Sequence, residues 1–79
     1  MKNDQILDRL QEIFRDVLND QNLTILPKMS AEDIEDWDSL SHVNLIVSIQ
    51  KDFKIKFKLG EVETLNNIGD MIELIKQKI

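Results

Sequence analysis

One hydroxyl in this chain is placed to do chemistry. In Asp36-Trp37-Asp38-Ser39-Leu40, Ser39 follows an acidic residue and precedes an apolar helical pattern. Two readings fit these residue types. In the first, Asp38 is an N-cap and Ser39 the first helical residue, both preferred there. In the second, Ser39 carries an anionic group. A helix N-terminus offers unpaired N–H donors and partial positive charge, which favour a phosphate. Catalytic nucleophilicity fits poorly: no Gly-x-Ser-x-Gly elbow surrounds Ser39 and no base accompanies it.

Other chemistry is scarce. His42 is the only histidine and there are no cysteines. The lack of cysteine excludes a cysteine nucleophile, a thiolate metal site and a disulfide framework, and catalysis by the lone His42 is not expected. His42 is expected to be a partly buried residue lining the start of the core. The acidic run Asp33-Ile34-Glu35-Asp36-Trp37-Asp38 lacks the glycine and the twelfth-position glutamate of a calcium loop, so no metal site is assigned. With one histidine and no evident second domain, the chain is not expected to be an enzyme.

The chain that must position Ser39 has 79 residues, 42% apolar and 32% charged, with only two glycines and one proline. One globular domain spanning 1–79 is expected, with one core. The formal net charge of −5 would repel phosphate backbones, so nucleic acid is not an expected partner. No apolar run approaches the roughly 20 residues of a membrane span. MKNDQILDRL carries charges where a signal peptide needs an apolar core. A cytoplasmic monomer is expected.

Apolar residues at Ile6, Leu7, Leu10, Ile13, Phe14, Val17 and Leu18 predict a helix from Asp4 to about Leu18, capped by Asn3 or Asp4. Residues 19–37 form a long loop containing Pro27, in which Leu23, Ile25 and Leu26 are apolar anchors and Ser30–Asp33 caps one turn. A second helix covers about Ser39 to Phe53. Residues 54–59 alternate like a strand, but a lone strand lacks a partner. They are read as an extended connector that sets Ile55, Phe57 and Leu59 on the core, followed by a short helical turn within 60–65. Ile68, Met71, Ile72, Ile75 and Ile79 form one face of a last helix, with Asn67 and Asp70 as a capping pair. The fold class is all-α: three main helices plus one short one, with a long loop between the first two.

The helix after Ser39 has two apolar stripes. At about 100° per residue, Leu45, Ile46, Ile49 and Phe53 form one and Leu40, Val43 and Val47 another. The first is the core face. The second is either covered by the 19–37 loop or left exposed for docking.

Asp38-Ser39-Leu40 followed by a broad apolar helix resembles the attachment motif of acyl carrier proteins. The resemblance extends from Asp36 through Val43, Leu45 and Ile46 to Phe53, then through residues 52–55, Thr64-Leu65 and 68–72. It covers nearly the whole chain. It implies an acyl-carrier-like bundle in which Ser39 receives 4′-phosphopantetheine from coenzyme A through a phosphopantetheinyl transferase. The arm's thiol would hold an acyl group as a thioester, supplying the sulfur that the chain lacks. Asp38 and Leu40 would be read by the transferase, and Val43 and Val47 would extend the partner-facing patch. His42 matches a position near the acyl-chain entrance. Acyl-activating and acyl-transferring enzymes of the pathway would be further partners.

The sequence also departs from that pattern. Carriers of fatty-acid synthesis usually have carboxylates where this helix has Asn44, Gln50 and Lys51, and Lys54, Lys56 and Lys58 follow. Acidity lies upstream instead, at Asp33, Glu35, Asp36 and Asp38; Glu35 and Asp36 join the expected recognition residues. These departures, with the Trp-Asp-Ser-Leu form, suggest a specialised biosynthetic pathway rather than housekeeping fatty-acid synthesis. The alternative is an unmodified helical protein–protein interaction module.

Overall fold

Amphipathic periodicity becomes helix at each of the expected places. The computed structural model describes residues 2–79 and contains α1 (Asn3–Val17), α2 (Ser39–Phe53), α3 (Leu59–Glu63) and α4 (Ile68–Lys78). There is no strand among the described residues. α1 packs against both α2 and α4. Ile6, Leu10 and Phe14 of α1, Leu45 and Ile49 of α2, and Ile68, Met71 and Ile75 of α4 are essentially fully buried. Their spacing, three or four residues apart on each helix, puts one apolar face of each against the others.

Several boundaries differ from the sequence expectation. α1 begins at Asn3, so Asn3 and Asp4 lie inside the helix and Lys2 is its N-cap. The Lys2 backbone N–H donates to Gln5 Oε1 at 2.9 Å, so a side chain in the first turn performs the capping. Leu59 does not reach the core. It starts α3 and is 77% exposed, whereas Ile55 and Phe57 pack against the core as expected. Ile79 lies past the end of α4 and is half-exposed, and Leu74 is buried instead.

Loop 19–37 is tied down along its length. It leaves α1 through Asn19 in the left-handed conformation (φ 54°), and Arg15 Nε donates to Leu23 O at 2.7 Å. Ile25 N–H donates to Gln11 Oε1 at 3.0 Å and buries its own side chain. The loop also caps α4. Ile68 N–H donates to Met29 O at 2.9 Å and Gly69 N–H to Pro27 O at 2.8 Å. Asp70 N–H donates to Asn67 Oδ1 at 2.8 Å. The first three amides of α4, which have no partners within the helix, are thus all satisfied. Gly69 belongs here because a Cβ would stand 3.2 Å from Pro27 O.

Gln50 holds the first part of the 54–58 connector through both its backbone carbonyl and its side chain. Lys54 ends α2 in the left-handed conformation (φ 58°), with its N–H directed to Gln50 O. Ile55 N–H donates to the same carbonyl at 3.1 Å, and Phe57 N–H donates to Gln50 Oε1 at 2.8 Å. Gln50 therefore fixes the connector without a sheet. Across the molecule, Glu61 of α3 pairs with Lys78 of α4 at 2.8 Å.

Replacing the α4 cap, Asn67→Ala, is expected to lower unfolding free energy by about 1 kcal/mol. Urea denaturation would read this as a lower midpoint at an unchanged slope.

Candidate functional site

Asp38 is the N-cap of α2, and its Oδ1 accepts from Ser41 N–H at 2.8 Å. His42 N–H donates to Asp38 O at 2.8 Å, the first bond of the helical ladder. The expected cap is therefore the observed one. Hydrogen bonds to the carboxylate itself, chiefly from Ser41, hold Asp38 below the usual carboxylate range. Ser39, one residue further on, is exposed. It lies on the rim of a cavity of about 420 Å³ lined by Ala31, Trp37, Asp38, His42, Leu65 and Asn66.

Trp37 organises this corner. Its ring is only 7% exposed and meets Phe14 edge-to-face, with centroids 5.0 Å apart at 90°. His42 lies beside it, with ring centroids 6.0 Å apart and planes within 23° of each other. Trp37 Nε1–H donates to His42 Nδ1 at 3.1 Å, so the buried indole leaves no donor unpaired. The expectation that His42 lines the edge of the core holds: it is half-buried, and burial pushes its pKa down. The role of Trp37 was not legible in the sequence. Its only signal was an aromatic residue directly beside the cap.

The other expected site residues separate into two groups. Glu35, Asp36 and Asp38 are all exposed on the approach to Ser39. Leu40, Val43 and Val47 are 73%, 58% and 49% exposed, so the loop does not cover the second stripe of α2. A groove of about 340 Å³ lies beside that stripe, lined by His42, Val43, Ile46, Val47, Phe57 and Val62 among others. Asp52 is the only acidic residue between Ser39 and Phe53. Arg9 holds it with two bonds, of 2.9 and 2.6 Å. Among the described residues no cluster of His, Cys, Asp and Glu has the arrangement of a metal site. No described helix is long and apolar enough to cross a membrane.

The family model for the phosphopantetheine attachment site matches residues 8–75. An acyl carrier protein of Acidothermus cellulolyticus is 31% identical over 75 residues, covering 95% of this chain and 89% of the relative. One of Thermosynechococcus vestitus is 30% identical, covering 100% of this chain and 98% of the relative. The solution NMR structure of holo acyl carrier protein from Geobacter metallireducens superposes with a TM-score of 0.85 at 50% identity, covering 91% of this chain and 83% of that one. The chain belongs to the phosphopantetheine-attachment family of acyl carrier proteins. It is a carrier rather than an enzyme, and its cofactor is covalent phosphopantetheine.

The site's chemistry fits that group. A phosphodiester on an exposed hydroxyl at the start of α2 would meet the positive end of the helix. The adjoining cavity has a volume in the range of small-ligand sites. When bound, the arm supplies the thiol that the chain itself lacks.

His42 makes stability pH-dependent in a defined direction. Its folded pKa lies below the unfolded value of about 6.5. The unfolded chain therefore binds more protons, and stability rises with pH. The contribution is complete above about pH 6.5 and declines as pH falls toward the folded pKa. Urea midpoints should fall between pH 7.5 and 5.5 in the wild type. The fall should be shallower in His42→Gln, which keeps an acceptor for the indole N–H but does not titrate.

Proposed function

We propose that Ser39 is the residue that carries the 4′-phosphopantetheine arm. The observation that carries this reading is an exposed hydroxyl on the first residue of α2, beside a cavity and outside the core. The arm would hold acyl intermediates as thioesters, and the 79-residue chain would act as one carrier domain. Asp38 and Leu40 would be read by the phosphopantetheinyl transferase. The exposed Val43 and Val47 would continue the surface met by acyl-activating and acyl-transferring enzymes, with Asp36 and Glu35 steering the approach of basic groups. The same reading makes the chain a cytoplasmic monomer.

Charge supports a specialised pathway over housekeeping fatty-acid synthesis. Asn44 and Lys51 are exposed on α2, where a basic partner would seek carboxylates. The single carboxylate of that helix, Asp52, is engaged by Arg9. Lys54, Lys56 and Lys58 are exposed beyond it. Such a surface repels a partner whose basic patch tracks the whole helix, and leaves only the upstream acidic end for attraction. Family membership favours the carrier reading over an unmodified interaction module.

Intact mass spectrometry after incubation with coenzyme A and a broad-specificity transferase tests the attachment. The wild type is expected to gain one phosphopantetheine mass and Ser39→Ala none. An equal gain by Ser39→Ala would refute the assignment. Leu40→Glu should fold normally and lower the transferase kcat/KM about tenfold, equivalent to about 1.4 kcal/mol of lost recognition. An unchanged kcat/KM would remove Leu40 from the recognition surface.

A further inference from the structure

We propose that Lys54, Lys56 and Lys58 form the basic rim of a docking groove between α2 and α3, whose occupant is a protein surface with an apolar side chain flanked by carboxylates. This rests on the reading of α2 as the enzyme-facing helix, and it gives the chemistry of the enzyme's side of that contact.

The connector presents the three lysines on a fixed backbone. Ile55 and Phe57 pack against the core, and the lysines that alternate with them are exposed. Gln50 O accepts from Ile55 N–H at 3.1 Å and Gln50 Oε1 accepts from Phe57 N–H at 2.8 Å, which keeps the strip from swinging away. Among the described residues no ion pair engages Lys54, Lys56 or Lys58. Neighbouring carboxylates are mostly spent elsewhere. Arg9 holds Asp52, and Glu61 takes Lys78 at 2.8 Å and the Lys58 backbone N–H at 2.8 Å. Glu63 is the one α3 carboxylate without a described ion pair.

The groove has two apolar walls. Val43, Ile46 and Val47 come from α2, and Phe57, Leu59 and Val62 from the connector and α3. Leu59, directly after Lys58, is 77% exposed and brings apolar surface to the lysine strip. An apolar centre with a charged rim is the anatomy of a protein–protein contact. The sign of the rim selects the partner: carboxylates are attracted, and lysines or arginines are repelled. The end of α2 near Ser39 has the opposite sign, with Glu35, Asp36 and Asp38 exposed. A matching enzyme surface therefore runs from basic near Ser39 to acidic at the connector, and this order fixes which way it lies along α2. An anionic lipid surface fits less well. It is flat, so it leaves the groove unfilled, and it meets a chain of net charge −5.

The test is an NMR titration of nitrogen-15-labelled apo protein with two synthetic helical peptides that share one leucine stripe. One peptide carries glutamates beside the stripe and the other lysines. Affinity is read from the amides of Val43, Val47, Phe57 and Leu59. The glutamate peptide is expected to shift these amides and to bind about tenfold more tightly than the lysine peptide. Added salt should weaken it. A variant combining Lys54→Glu, Lys56→Glu and Lys58→Glu changes only exposed side chains. It should keep the amide spectrum of the folded bundle and reverse the preference. Equal affinity for the two peptides, a preference of the wild type for the lysine peptide, or an unchanged preference in the triple variant would overturn the proposal. Phosphatidylglycerol vesicles are the competing probe. Wild type that sediments with them and ignores the glutamate peptide would assign the lysines to a lipid surface and overturn the docking groove. Because the titration uses apo protein, it is separate from arm attachment. Absence of a phosphopantetheine mass gain would remove the Ser39 assignment without touching the peptide result, and failure of the peptide result would leave that assignment in place.

Discussion

The structure around Ser39 depends on where Trp37 goes. Its ring closes the core beneath the start of α2, edge-on to Phe14. A buried indole is tolerated only if its N–H finds an acceptor, since an unpaired donor costs about 1–3 kcal/mol. His42 Nδ1 is that acceptor. The consequence is geometric. With residue 37 anchored inward, Asp38 turns out to cap the helix and Ser39 follows on the exposed side. An inward aromatic, a capping carboxylate and an exposed hydroxyl occupy three consecutive positions. Burial of the first fixes the exposure of the last.

The two ends of α2 are handled differently. Its N-terminal end presents the hydroxyl, the cavity and the acidic approach of Glu35, Asp36 and Asp38. Its C-terminal end is bound into the fold: Gln50 holds the connector and Asp52 is clamped by Arg9 from α1. The apolar stripe of Leu40, Val43 and Val47 lies between them, exposed. A carrier must be recognised by several enzymes and released by each. A narrow apolar stripe with charge mainly at one end suits fast, weak and oriented encounters better than tight ones.

Much of this was legible in the sequence because helical periodicity is strong and the motif is local. The order of the helices, the two-sided character of α2, the Asp38 cap and the exposed serine followed from spacing and residue type. What spacing leaves undetermined is anything requiring contact between distant segments. Arg9 and Asp52 are 43 residues apart, and nothing in either segment names the other. The same holds for Gln11 with Ile25 and for Glu61 with Lys78. Whether the second stripe of α2 was covered depended on the path of the loop, which periodicity does not describe. Leu59 was misplaced because alternation continues into it, whereas the chain has already turned into α3. Trp37 was read only as part of the Trp-Asp-Ser-Leu form, although burial of a large aromatic is the simpler physical expectation for such a residue.

The capping of α4 by loop carbonyls has a consequence for how the molecule opens. The amides of Ile68 and Gly69 bond to Met29 and Pro27, residues some forty positions earlier in the chain. The last helix therefore cannot keep its first turn while that loop is displaced, and the loop loses its acceptor bonds if the helix frays. Opening either segment breaks the same two bonds, so the slow-exchanging protons of the two should be released together rather than in sequence. A bundle this small thus ties its longest irregular stretch to one of its most regular elements, which leaves little room for the loop to breathe independently.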